Sequence, residues 1–106
     1  MVPVHTLGFD TANERTLHHY RHRAEFPECA SETEYEDAAD EFLGGIIGTG
    51  VVECTTSRGR RLRFCQATNR LGSVSADNRI VTFLRPDPAV HRFRTNLDYF
   101  RFCCRR

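Results

Sequence analysis

The sequence predicts an α+β fold: two N-terminal helices packed on an antiparallel β-meander of about four strands. Three observations carry this. Two helix-opening signatures, Thr11-Ala-Asn-Glu14 and Ser31-Glu-Thr-Glu34, each offer a hydroxyl for an orphan amide and a Glu three residues on. Short runs of β-branched, aromatic and apolar residues follow, at residues 62–65, 71–75 and 80–84. Their connections, Ala67-Thr68-Asn69-Arg70 and Ala76-Asp77-Asn78-Arg79, are rich in turn formers and short enough to force antiparallel neighbours.

Taken in order, residues 1–9 form an arm too short and irregular to assign, and residues 10–43 hold the two helices. The first helix runs from Thr11 to about Glu25 and stops before Pro27, which disfavours helix at the residue ahead of it. Leu17, Tyr20 and Ala24 fall at i, i+3 and i+7 and give one narrow apolar stripe. His18 and His22, four apart, share an adjacent face bordered by Arg15 and Glu25. In the second helix Tyr35, Ala38, Ala39, Phe42 and Leu43 make the buried stripe, and Gly44-Gly45 ends it. Its acids, Glu34, Glu36, Asp37, Asp40 and Glu41, read as a solvated face.

Residues 46–86 supply the sheet. A strand over 50–55 turns at Ser57-Arg-Gly59 into a second over 60–65, whose alternation sets Arg61 and Arg63 on one face. In the last strand Thr82 alternates with Ile80 and Leu84 and is expected to face inward or into a cleft. Pro86-Asp-Pro88 ends that strand. Residues 87–106 are aromatic and basic, either a final edge strand or an irregular wrap over the sheet.

At 106 residues the chain is a single domain, long enough to bury a core without covalent staples. No apolar run approaches the ~20 residues a membrane span requires. The opening Met1-Val-Pro-Val-His5 lacks the layout of a secretory signal, so any export would take a non-classical route, for example as the tail of a longer polypeptide.

Charge is strongly segregated: residues 1–57 hold three Arg against eleven acids, and residues 58–106 hold twelve Arg against three. All basic residues are Arg, whose planar fork suits phosphate. A base-composition bias that converts Lys to Arg is the plainer account of the same fact. Cys29, Cys54, Cys65, Cys103 and Cys104 form an odd set without zinc-knuckle spacing. They read as small buried hydrophobes of a reducing compartment, and the vicinal pair at the terminus as an oxidation liability.

Cleaving RNA without a metal needs a base for the ribose 2′-OH, an acid for the departing 5′-oxygen, and cations or donors for the phosphorane. The chain carries such a set. His18 and His22 are of the residue type that can serve as base or acid, Arg61 and Arg63 can stabilise charge, and Thr68, Asn69 and Thr82 can orient a phosphate oxygen.

Three blocks, in order, carry a resemblance. His18-His-Tyr-Arg-His22-Arg-Ala-Glu-Phe26 resembles the "H-F-x-K-H-x-x-E-F" opening of bacterial and phage-associated nuclease toxin domains, and Ser31, Glu34, Tyr35, Ala39, Phe42 and Leu43 are similar to that group's second helix. Thr68-Asn69-Arg-Leu-Gly72 with Asn78-Arg-Ile80-Val-Thr82-Phe-Leu-Arg-Pro86 resembles its "T-N-x-F-G…G-x-I-x-T-F-F-x-P" close. The departures are His19 and Leu71 where the group has aromatics, and Arg23 and Asn78 where it has Gly. These domains belong to the barnase–EndoU–colicin–RelE-like ribonuclease group and are commonly the C-terminal warheads of polymorphic or contact-dependent toxins.

The resemblance implies cofactor-free and metal-free cleavage of RNA, often tRNA, to a cyclic phosphate. By position it makes His18 or His22 the acid/base group and Arg63, Thr68 and Thr82 its catalytic companions. Arg60, Arg61, Asn69 and Arg85 would bind RNA. It further implies an acidic immunity protein, a monomer or a heterodimer with that inhibitor, and action in a target cell's cytoplasm. Two other classes fit the residues: a non-enzymatic Arg-rich nucleic-acid binder, and an interaction module held by a metal on His18, His22 and either Cys29 or His5.

Overall fold

The computed structural model describes residues 5–106; residues 1–4, the first part of the expected arm, lie outside the described residues. Its architecture is α+β. Helices α1 (Ala12–His22) and α2 (Glu32–Leu43) precede strands β1 (Val51–Thr55), β2 (Arg61–Cys65), β3 (Arg70–Val74) and β4 (Ile80–Leu84), which pair antiparallel in sequential order. The single turn α3 (Pro88–His91) and helix α4 (Asn96–Cys104) follow.

Both helix-opening signatures act as caps. Thr11 and Ser31 accept from the backbone amides of Glu14 and Glu34. Glu34 reaches back to the amide of Ala30, one residue beyond the cap itself. α1 ends at His22, before the expected Glu25, because the chain tightens into successive three-residue turns ahead of Pro27.

The orientation of α1 differs from the expected one. Leu17 is 47% exposed, Tyr20 is 66% exposed, and no residue of the helix is fully buried. The inward face is that of the histidines: His18 stacks on Phe9 with ring centroids 5.2 Å apart, and His19 leans on Tyr35 at 5.7 Å. A stripe of three apolar residues is outweighed by flat rings that match an aromatic core built from Phe9, Phe26, Tyr35 and Phe83.

Nor are the acids of α2 all solvated. Asp40 accepts from the Thr6 amide and hydroxyl and pairs with His5 at 2.8 Å, while Glu36 accepts from the Phe9 amide. The arm is thereby clamped beside β4, where Phe9 bridges Ile80 in parallel. Burial pushes the Asp40 carboxyl up, but its bonds to Thr6 and His5 outweigh that and hold it below the usual range.

The sheet has two occupied faces. Arg63, Gly72 and Phe83 lie across from one another and face α2, where a Cβ on Gly72 would come within 3.0 Å of Leu43. Leu62, Phe64 and Leu71 point the other way and pack on Phe100 of α4. A bulge opposite Ser73 and Val74 inserts Val81 and resets the alternation of β4. Ile80 and Phe83 therefore enter the same core, and Thr82 turns to the opposite face, bonded to Ser73. Thr82 does not share a face with Ile80, as strict alternation required.

The C-terminal segment is neither an edge strand nor an irregular wrap. Asp87 caps α3 with Pro88 in its first turn, Thr95 caps α4, and α4 lies on the α1-distal face of the sheet. A Cys54–Cys104 disulfide ties its last turn to β1. Cys104 is thus a structural bridge, whereas Cys29, Cys65 and Cys103 are free thiols.

Candidate active site

The predicted site residues divide among three places. His18 and His22 do stack, with ring centroids 6.3 Å apart, but they open onto different cavities. His22, Asn69 and Arg85 line a cleft of about 550 Å³. His18 and Thr82 line a second of about 500 Å³ with Asp10, Glu14 and Asp77. Arg60, Arg61, Arg63 and Thr68 line neither.

Arg63 sits mid-strand beneath the C-terminal end of α2 and is 2% exposed. Its guanidinium donates to the carbonyls of Phe42, Gly44 and Gly45 and, through Nε at 2.6 Å, to Glu53. The Phe42 carbonyl is an orphan of the last turn of α2 and those of Gly44 and Gly45 follow directly after it, so a buried cation there closes the negative end of the helix. Every nitrogen of Arg63 is spent inside the protein, and the residue has none to offer a phosphate. Arg61 shares Glu53 at 3.2 Å, and Arg60 is exposed at the β1–β2 turn. Thr68 is exposed at the β2–β3 turn, where its hydroxyl and amide, with the amide of Ala67, hold the Cys65 thiol below its usual value.

The larger cleft forms where the end of α1, the β2–β3 turn, the segment after β4 and the α3–α4 corner meet. His22 Nδ1 lies 2.8 Å from one Glu25 oxygen, and the other oxygen accepts the Arg85 amide at 2.8 Å. The carboxylate is held by the backbone and orients the imidazole, leaving Nε2 as the available base. Arg85 packs its guanidinium over Phe26 and forms a two-pronged pair with Glu28, at 3.1 and 2.7 Å. That pairing and the Glu28 backbone hold the Glu28 carboxyl low. Asn69, at φ 53°, donates to Pro86 O and accepts from Asn96, which locks the β2–β3 turn to α4.

The cleft also holds a histidine that the motif reading did not single out. His91 Nδ1 accepts the Phe93 amide at 3.1 Å, which puts its proton on Nε2, 2.8 Å from Asn96 Oδ1. Its ring lies parallel to Tyr99 at 4.3 Å. The sequence signal for it is Asp87-Pro88, a helix cap followed by Pro at the first position, which sets a His at the end of a single turn. Two imidazoles from distant parts of the chain, His22 held through Nδ1 and His91 through both nitrogens, thus meet a guanidinium at one opening.

In the smaller cleft His18 Nε2 is 3.6 Å from Glu14, and its Nδ1 is buried with no partner. Burial lowers its basicity, Glu14 raises it, and His22 and Arg21 lower it again, so its pKa falls below the ordinary value. Among the described residues no three His, Cys, Asp or Glu side chains are grouped to hold a metal. His5 is engaged with Asp40, and Cys29 is buried in the core.

Neither a scan against protein-family models nor a search of curated protein sequences finds a match to this chain.

Proposed function

We propose that this chain is a metal-independent endoribonuclease toxin whose active centre is the larger cleft. The observation that carries the reading is the convergence of His22 and His91, each oriented by a hydrogen-bonded neighbour, beside Arg85. In this reading His22 Nε2 takes the proton of a ribose 2′-OH, whose oxygen attacks the adjacent phosphorus. His91, entering as the imidazolium with Nδ1 released from the Phe93 amide and Nε2–H from Asn96, gives its Nε2 proton to the 5′-oxygen as the P–O bond breaks, leaving a 2′,3′-cyclic phosphate, a free 5′-hydroxyl and a neutral imidazole. Glu25 steadies the imidazolium formed on His22. Arg85 meets the phosphorane charge by trading its partly exposed Glu28 partner for a phosphoryl oxygen.

Transfer RNA is the substrate the resemblance favours. An acidic immunity protein covering the basic rim would protect a producing cell, as a heterodimer with this chain. Delivery by a non-classical route into a target cell's cytoplasm is consistent with the Cys54–Cys104 disulfide, a bond that persists in oxidising surroundings. No helix among the described residues is long and apolar enough to cross a membrane.

The test is incubation with total tRNA in excess EDTA. Wild type, His18→Phe and Thr82→Val are expected to give fragments ending in cyclic phosphate. His22→Ala and His91→Ala lose about a hundredfold or more, the range of general acid–base catalysis. Cleavage that survives both histidine changes and disappears with Thr82→Val would move the centre to the smaller cleft. Intact RNA with a gel shift that fades as salt rises would favour a second reading, a non-enzymatic binder, for which the exposed arginines of residues 92–106 speak.

A further inference from the structure

Residues 88–106 contain five Arg and one acid, Asp98. Among the described residues Arg92, Arg94, Arg101, Arg105 and Arg106 form no ion pair, and all five are exposed. Between them runs a connected series of rings. Tyr99 lies parallel to His91 at the cleft wall, Phe93 follows 5.8 Å from Tyr99, and Phe102 lies 4.9 Å from Phe93. Phe102 is 37% exposed, with the Arg106 guanidinium 5.6 Å above its ring.

A solvent-facing Phe on a short helix is a poor use of apolar area unless something covers it. The helix has a separate anchor: Phe100 enters the core against Phe64, and Cys104 is bonded to β1. Phe93 and Phe102 are therefore not needed to hold α4 down. Flat rings spaced among unpaired guanidiniums match one polyanion above others, a strand whose bases are unstacked and whose phosphates recur along its length. A duplex hides its base faces, and an acidic polypeptide has none to stack.

We infer that the α3–α4 segment is a single-strand RNA platform, with Phe93 and Phe102 as stacking surfaces and Arg94 and Arg101 as phosphate contacts, leading into the cleft at His91. This rests on the reading of the chain as acting on RNA, but it concerns binding and not bond cleavage. The substrate class it specifies is an unpaired loop or tail, and helical stems are disfavoured.

The test uses fluorescence anisotropy with the intact protein and a labelled 12-nucleotide RNA carrying 2′-O-methyl groups, which removes the attacking hydroxyl and isolates binding. The single strand is expected to bind at least about tenfold tighter than the same strand annealed to its complement. Phe102→Ala weakens it about tenfold, and Phe102→Trp restores it. Arg94→Ala with Arg101→Ala makes the plot of log affinity against log salt shallower by about 1.4, or about 0.7 per single-strand phosphate contact. Equal binding of duplex and single strand, or a Phe102→Ala protein that binds unchanged, overturns the platform. So does polyglutamate competing as well as RNA. If tRNA stays intact while Phe102-dependent binding persists, the nuclease reading fails and the platform stands.

Discussion

The two faces of the sheet use the same residue in opposite ways. On the α1/α2 face four arginines are paired within the protein, whereas the exposed Arg21 and Arg23 at the end of α1 form no ion pair among the described residues. Arg63 closes the end of α2 and meets Glu53, Arg15 binds Glu32 and Glu36, and Arg70 and Arg85 share Glu28 in the loop between the helices. On the α4 face the arginines of residues 92–106 point to solvent without acidic partners among the described residues. The acidic and basic halves of the sequence thus cancel where they fold against each other. Five of the ten arginines that form no ion pair among the described residues lie in residues 92–106, on and around α4 beside the cleft. A surplus of Arg becomes a field available to a ligand only after the internal pairs have been subtracted.

Removing Arg63 tests the stabilising side of this contrast and should have the largest effect. Arg63→Met leaves three carbonyls and part of a carboxylate without their donor. Breaking a buried pair of this kind costs about 3–5 kcal/mol, and the low end is expected because Glu53 keeps Arg61 and some access to water. Urea denaturation measures it. At low temperature, where the variant stays folded, binding of a single-stranded 2′-O-methyl RNA should be unchanged. A loss of binding in the folded variant would mean that the two faces are not independent.

The disulfide tests the other face and ranks second. Cys104→Ser releases a link that spans 50 residues of sequence and should cost about 2–4 kcal/mol. Hydrogen exchange should locate the loosening in the last turn of α4, because Phe100 is then the one fully buried side chain of the helix and sits N-terminal to the released end. Uniform loss of protection across β2 and β3 would instead make α4 an integral part of one cooperative unit.

Local chemistry was legible in the sequence, and relations between distant elements were not. Thr11 and Ser31 announced the helices, and Asn69 and Asn78, both at positive φ, announced the turns, because caps and turns are decided within four residues. The inward face of α1 depends on Phe9 and Tyr35, which no periodicity within the helix records. Strict alternation misplaced Thr82 because one bulged residue, Val81, inverts everything beyond it. The partner of Cys104 lay 50 residues away, and Cys spacing alone does not give connectivity. Of the candidate site, His22, Asn69 and Arg85 were legible as residue types near one another in motif space. His91 was not, since its value comes only from α3 folding back on the cleft.

The smallest expected effect concerns His18, the ring between the two clefts. Its buried Nδ1 lacks a partner, and burial holds its pKa below the ordinary 6.5, so the folded protein resists protonating it. The unfolded chain then binds more protons below that pH. The stability His18 permits is fully present above 6.5 and falls as pH drops through the window between the unfolded and folded values. His18→Phe keeps the flat ring against Phe9 and removes both the orphaned nitrogen and the titration. The variant should therefore be slightly more stable than wild type at pH 7 and should lose less stability between pH 7 and pH 5, as followed by thermal melts across that range. Glu14, at 3.6 Å, works against this by favouring the imidazolium, so a Glu14→Gln protein should be more acid-sensitive than wild type in the same window. If His18→Phe follows the wild-type curve, the acid sensitivity belongs to another group. His18 would then be only a packing element of the α1 face, with its protonation state of no consequence to the fold.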